Sequence, residues 1–276
     1  MTVVKPISFE LFPPRSDAAA LALGRTIDRL AEVNPAFFSV TFGAGGSNRD
    51  QSLTVLRYIL EHTSVHAMAH LTCIGSTQAD AERLVGEFLD AGVTSFLALR
   101  GDPPEDGSGD IGELASAADL VDLILHSQRV RDTSTSVQVA VAAFPNGHPR
   151  DVRPNQDLDA LLAKEHAGAT LAITQLFWHA EDYHGFVERA RAHGVTIDIL
   201  PGIMPVTSLG RLNRLEELTG VPAPADLVHA LTSEDAADAG IDYAAELVRE
   251  VLTIAPGAHL YTFNQHETVL ETLRRV

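Results

Sequence analysis

Short apolar runs rich in β-branched and aromatic residues alternate along the chain with longer amphipathic segments. The runs predict strands at about 6–11, 36–42, 66–73, 94–99, 137–143, 170–176, 196–200 and 258–263. Several of them, AFFSVTF and TLAITQL among them, are apolar almost throughout, as parallel strands covered on both faces are. The segments between them read as helices. In 17–33, Leu23, Ile27 and Leu30 share one face and Ser16 is placed to cap it. In 77–91, Thr77 with Asp80 resembles a capping box, Ala81, Leu84, Val85 and Phe88 form the stripe, and Gly92 suits the stop. Helices 157–167, 180–193 and 207–219 end at Gly168, Gly194 and Gly220, and further helices are expected near 50–62, 116–129 and 235–253, with 266–275 as an extra terminal turn.

Eight strands alternating with eight helices predict a closed parallel barrel, a single (β/α)8 TIM-type domain over 1–276. The rival, a doubly wound open sheet, is weakened because no GxGxxG turn follows the first strand. The Gly/Asp/Pro-rich stretch 101–112 is too short for a linker and reads as a surface loop.

Composition narrows the partners. The formal charge of −17, from 37 acids and 20 bases, repels nucleic acid and anionic membranes, so neither is expected as a partner. No apolar stretch approaches the roughly 20 residues of a membrane span. The opening MTVVKPISFEL lacks the layout of a signal peptide, and Cys73 is the lone cysteine, which together point to a reducing cytoplasm. The same acidity sets a problem for any anionic cofactor, which would need local cations or backbone amides.

In such a barrel the C-terminal strand ends build the active site. Strand one ends Glu10-Leu11-Phe12-Pro13-Pro14, placing a carboxylate in an apolar strand. It is either a structural ion-pair partner or a general acid whose pKa its surroundings raise. Strand two ends in a glycine turn, Thr41-Phe42-Gly43-Ala44-Gly45-Gly46-Ser47, which permits close approach of a planar or phosphorylated ligand. His70 on strand three reads more simply as a satisfied core group than as a ligand, and no metal-ligand spacing supports zinc. Strand four ends Leu99-Arg100-Gly101-Asp102, either a local salt bridge with a turn or a carboxylate placed to stabilise a cation. Gln175 among apolar neighbours suggests an amide edge for a heterocycle. No Ser/His/Asp or Cys/His arrangement stands out, and Cys73 lacks an activating partner. What remains suits a flat heterocycle and proton or hydride chemistry.

In order and spacing, FELFPP, SVTFGAGGS, HLTC, ALRGDPP, VAAFPNGHP, AITQLFW, PGIMPV and YTFN resemble the methylenetetrahydrofolate reductase family, from residue 8 to about 265. The resemblance implies a β/α barrel that reduces 5,10-methylenetetrahydrofolate with NADH or NADPH, NADH being favoured. It implies that Glu10 protonates N10 to open a 5-iminium cation, that Asp102 contacts the pterin and stabilises that cation, and that Gln175 hydrogen-bonds the folate ring. It implies FAD contacts at Thr41, His70, Arg100, Gly101, Ala142, Phe144, His148, Asp157 and Lys164, a substrate-side position at Leu209, and a tendency to homo-oligomerise.

The chain departs from that pattern mainly where the ADP half of FAD would lie. Ala160 and Ala163 stand at polar or basic positions, Leu114-Ala115 at a tyrosine-alanine pair, Phe144 at a frequent tyrosine, Gln265 at an arginine and Leu209 at a phenylalanine. Two versions of the enzyme follow: one with FAD, favoured by the surviving Thr41, His70, Arg100-Gly101-Asp102 and Lys164, and one in which the nicotinamide passes hydride directly to the folate. Other readings are a different pterin or flavin barrel reductase and a non-catalytic folate-binding barrel; retention of Glu10 speaks against the last.

Overall fold

A computed structural model describes residues 5–42, 49–102, 112–131 and 136–276. The glycine turn at 43–47 and most of the 101–112 loop therefore lie outside the described residues. The strands are β1 (Ile7–Leu11), β2 (Phe37–Val40), β3 (His66–Thr72), β4 (Ser95–Leu99), β5 (Gln138–Ala143), β6 (Leu171–Thr174), β7 (Asp198–Leu200), β8 (Gly202–Ile203) and β9 (Ala258–Tyr261). The helices are α1 (Asp17–Ala31), α2 (Arg49–His62), α3 (Gln78–Asp90), α4 (Ala117–Val130), α5 (Gln156–His166), α6 (Ala180–Ala192), α7 (Leu209–Thr219), α8 (Ala225–Ala230), α9 (Ala236–Val251) and α10 (His266–Arg275).

All strand pairs are parallel, in the order β7-β6-β5-β4-β3-β2-β1-β9-β8. β7 and β8 are one stave divided at Pro201, so the barrel has the eight staves the pattern predicts. Proline has no N–H for a ladder. The chain pairs with β6 before Pro201 and with β9 after it. Side chains close this seam: Gly202 N–H donates to Thr174 Oγ1 at 2.8 Å, and the Tyr261 hydroxyl to Thr174 O at 2.7 Å. The predicted seventh strand at 196–200 thus runs on to Ile203, and α8 is a helix the pattern did not predict.

Strand alternation sorts the two faces. Phe9, Leu11, Phe38, Val40, Ala69, Leu71, Phe96, Ala98, Val139, Val141, Ala172 and Leu260 join the layer beneath the helices. The opposite face fills the barrel, where Met68, Leu97, Ala140 and Ile173 form a separate apolar cluster. Ser8, Glu10, Ser39, His70 and His259 share that inward parity and are buried.

The helix starts follow the capping expectations. Ser16 Oγ accepts from Ala19 N–H, and Thr77 Oγ1 from Asp80 N–H. Ser116 and Asp119 form a reciprocal box that starts α4. Helix α7 stops at Gly220, whose φ of 70° is one that a residue with a side chain rarely adopts. Ser116→Ala is expected to cost about 1 kcal/mol. That corresponds to a fall of about 3 °C in Tm; an unchanged melting curve would remove the cap from the account of α4.

Candidate active site

Glu10 lies on the inner face of β1, one residue before its C-terminal end, with Ser39 and Tyr261 as its register partners on β2 and β9. It is 9% exposed, and its carboxyl makes no hydrogen bond among the described residues. The nearest cationic candidate is His70 Nε2, 3.7 Å from Oε2. Burial alone pushes the Glu10 pKa up to about 8, so the side chain is a protonated acid at neutral pH. His70 is driven the other way, to about 3, again by burial. The pair is therefore a neutral acid beside a neutral imidazole, not a salt bridge.

The sequence offered His70 as a satisfied core histidine, but the structure gives that description to His259. His259 Nδ1 meets Ser8 Oγ at 2.8 Å and Nε2 meets Ser39 Oγ at 3.3 Å. His70 Nε2 is buried without a hydrogen-bond partner. Ser8, Ser39 and His259 were not singled out from the sequence, although polar residues at period two in apolar strands were a usable signal.

Tyr261, also inward, is held by its bond to Thr174 O, and its pKa is raised by burial and by the nearby Glu10. The next residue, Thr262, donates to the Glu10 carbonyl at 2.6 Å. Beyond it, Asn264 clamps the end of β1: its Oδ1 accepts from Phe12 N–H and its Nδ2 donates to Phe12 O, both at 2.9 Å.

The remaining predicted residues divide into inner wall and rim. Thr41, Ala142, Phe144 and Gln175 continue the inward parity of β2, β5 and β6 at their C-terminal ends. Gln175 Oε1 accepts from Leu176 N–H at 2.9 Å, which fixes the amide carbonyl on the backbone. Phe144 stands edge-on to His148 with ring centres 4.6 Å apart. His148 Nδ1 accepts from Arg150 N–H, and its pKa is lowered chiefly by desolvation.

Arg100 and Asp102 lie on the rim, and they do not pair with each other. Asp102 reaches Arg150 at 3.0 Å, with its side chain 87% exposed. Gly101 between them has φ 85°, and a Cβ there would press on Ile74 at 2.7 Å. Leu209 opens α7 and packs beside the cluster of Trp178, Val206 and Leu212, which Tyr261 and Phe263 also border. Cys73 is buried, and desolvation pushes its thiol up to about 11, consistent with a structural role.

The helix expected to meet the ADP half of FAD offers little to a pyrophosphate. Ala160 and Ala163 are exposed methyl groups on α5. Lys164 is buried with Nζ donating to Ala142 O at 2.6 Å, and desolvation lowers its pKa to about 8. Arg153 is engaged by Asp159, which also holds His193 at 2.7 Å. Asp157, half-buried in the first turn, adds a negative charge beside Lys164. Thr41, His70 and Gly101 remain compatible with a flat ring, but the described residues of α5 do not fit a tightly held dinucleotide.

Residues 3–276 match the sequence profile of the family described as methylenetetrahydrofolate reductase. The chain belongs to the methylenetetrahydrofolate reductase family. Among its methylenetetrahydrofolate reductase relatives, the 5,10-methylenetetrahydrofolate reductase of Pectobacterium carotovorum is 37% identical over 79% of this chain and 70% of its own length. The enzyme of that name from Escherichia coli is 33% identical over 95% of this chain and 87% of its own. A longer family member from Arabidopsis thaliana, named methylenetetrahydrofolate reductase (NADH) 1, is 31% identical, and 47% of it is covered. In fold, the chain is similar to a Clostridium thermocellum protein that binds two copies of 5-methyl-5,6,7,8-tetrahydrofolic acid, with a TM-score of 0.68 over 98% of this chain and 95% of that one. At 13% identity that likeness shows the barrel alone. No helix among the described residues is long and apolar enough to cross a membrane.

Proposed function

We propose that this chain reduces 5,10-methylenetetrahydrofolate to 5-methyltetrahydrofolate, with NADH as hydride donor and Glu10 as the acid. The observation that carries this reading is the placement of Glu10: inward near the mouth end of β1, buried, its carboxyl without a hydrogen bond among the described residues, where burial raises its pKa to about 8. A general acid works best when its pKa lies near the operating pH. Its proton goes to N10, the bond between N10 and the bridging carbon breaks, and the electron pair stays on N10. The resulting N5 iminium carbon accepts hydride from the nicotinamide, and solvent returns a proton to Glu10.

Other residues bind and orient. The backbone hold on Gln175 Oε1 leaves its NH2 as the end that meets a pterin acceptor. Asp102 on the rim supplies a carboxylate that can exchange Arg150 for the iminium cation. The His70 imidazole, neutral and unbonded at Nε2, can donate to the Glu10 carboxylate once the proton has left, after a small rotation of either side chain. That rotation would spare the site an unpaired buried charge.

The relatives from rice and Arabidopsis are named as NADH forms, which supports the choice of donor. For the hydride route, the occupied cations and bare alanines of α5 favour direct transfer from the nicotinamide. Thr41, His70 and Gly101 favour the second reading, a bound FAD. Purified protein is expected to show no flavin absorbance and to oxidise NADH only when methylenetetrahydrofolate is added. A yellow preparation whose activity follows its flavin content would reverse the assignment of the route.

A further inference from the structure

The inside of the barrel carries an imidazole that the proposed chemistry at Glu10 does not use. His259, one layer below the acid on β9, has no exposed surface, and burial keeps it neutral, with a pKa of about 3. Its ring lies against Phe37 with centres 5.6 Å apart and meets Tyr261 edge-on at 5.5 Å. Ser8 Oγ lies 2.8 Å from Nδ1, and Ser39 Oγ lies 3.3 Å from Nε2. A neutral imidazole has one donor nitrogen and one acceptor nitrogen. Ser8 donates to Ala258 O at 3.3 Å, whereas Ser39 has no second acceptor among the described residues. Only one tautomer therefore satisfies every group: Nδ1–H donates to Ser8 Oγ, and Nε2 accepts the Ser39 proton.

The direction of that proton matters because of where Ser39 stands. It is the register partner of Glu10 on β2, and both side chains point into the barrel. On the opposite side, Tyr261 is the register partner of Glu10 on β9, and its hydroxyl is given to Thr174 O at 2.7 Å. Thr262 gives its hydroxyl to the backbone carbonyl of Glu10, not to the carboxyl. Each hydroxyl beside the acid is thus bound to an acceptor elsewhere. The titratable groups facing the carboxyl are His70 from β3 and Tyr261 from β9, with His259 below, and burial holds all three neutral. From β2 it meets no titratable side chain, only the serine. A carboxylate that accepts hydrogen bonds gives up its proton more readily than one that accepts none.

We infer that His259 is a positioning residue for the acid: by taking the Ser39 hydroxyl, it withholds from Glu10 the donor that stands beside it on β2. This rests on the proposed function. His259 lies below the acid and acts on it through Ser39. With the imidazole acceptor removed, the Ser39 hydroxyl turns to the nearest free acceptor on its face, the Glu10 carboxyl. There it stabilises the anion and lowers the pH at which the acid is spent. The bonds of the barrel floor thus set the upper end of the pH range in which the enzyme works.

The test follows the fall of kcat/KM at high pH in wild type, His259→Phe, Ser39→Ala and the double variant. Phenylalanine keeps a ring against Phe37 and Tyr261 and removes both nitrogens. In His259→Phe the fall is expected to move from about pH 8 to about pH 7. Adding Ser39→Ala should return it to about pH 8, and Ser39→Ala alone should leave it there. A ring that serves only as packing would lower rate or stability without moving the fall, and that result overturns the inference. Infrared titration of the Glu10 carboxyl, taken as the difference from Glu10→Gln, reads the same proton without turnover. Wild-type protein that reduces no methylenetetrahydrofolate overturns the proposed function, while the infrared comparison of wild type with His259→Phe still decides the role of His259. If His259→Phe does not fold, imidazole nitrogen NMR of the wild type decides. A neutral ring protonated at Nδ1 is expected; a ring protonated at Nε2 overturns the inference, because Ser39 would then keep its proton for Glu10.

Discussion

Glu10→Gln is expected to lower kcat about a thousandfold while 5-methyltetrahydrofolate still binds, because the amide keeps the shape and loses the transferable proton. The pH dependence carries a second signature. Glu10 has a native pKa of about 8 against an ordinary 4.5. Between those values the folded protein holds a proton that the unfolded chain has released. The contribution of Glu10 to stability therefore falls as pH rises from 4.5 to 8 and is level above. The glutamine variant has no such penalty, so its stability advantage over wild type, read as a Tm difference, should widen across that window, reaching on the order of a few kcal/mol at its upper end. His70 and Tyr261, which face Glu10 from β3 and β9, stay neutral throughout, with pKa values near 3 and well above 10. Wild-type kcat/KM should fall above about pH 8 as the acid is lost. A variant with wild-type turnover, or a Tm difference independent of pH, would remove Glu10 from the role of acid.

Gly202→Ala is expected to be the most damaging of the small substitutions at the barrel wall. A Cβ there would overlap the Thr174 carbonyl oxygen and lie 2.7 Å from the Tyr261 hydroxyl. Both groups belong to the seam at Pro201, and neither is the loose end of a flexible side chain. Overpacking of this kind, with loss of the Tyr261–Thr174 bond, should cost about 3 kcal/mol. Thermal melts should show this as a fall in Tm of about 5–10 °C. Tyr261→Phe, which removes only the hydroxyl, should cost about 1 kcal/mol and provides the comparison. If Gly202→Ala melts no lower than Tyr261→Phe, the close packing at the seam is not what holds it.

The barrel was legible because its evidence is local. Apolar runs, caps at Ser16 and Thr77, and glycine stops each sit within a few residues of the element they define. Glu10 was legible for the same reason, as a carboxylate in an apolar strand. Its neighbours were not. Whether His70 or His259 is the satisfied histidine depends on which strands bring serines to the same layer, and Ser39 lies far from His259 in the chain. Asp102 has an arginine two positions away, yet it pairs with Arg150, which the next loop delivers. Lys164 matched a cofactor position by type, but a carbonyl on β5 captures its ammonium.

The break at Pro201 also sets how the mouth is closed on that side. Main-chain pairing runs as a ribbon from β7 round to β8, and the two ends of that ribbon meet at a single residue. The divided stave keeps a ladder to β6 before Pro201 and one to β9 after it, so each half is paired on one side. Beyond Pro201, β6 is joined to this stave by the bond of Gly202 N–H to Thr174 Oγ1, and to β9 by that of the Tyr261 hydroxyl to Thr174 O. At the mouth end of this side a hydroxyl and a carbonyl stand in for a ladder, next to Tyr261, the register neighbour of the acid.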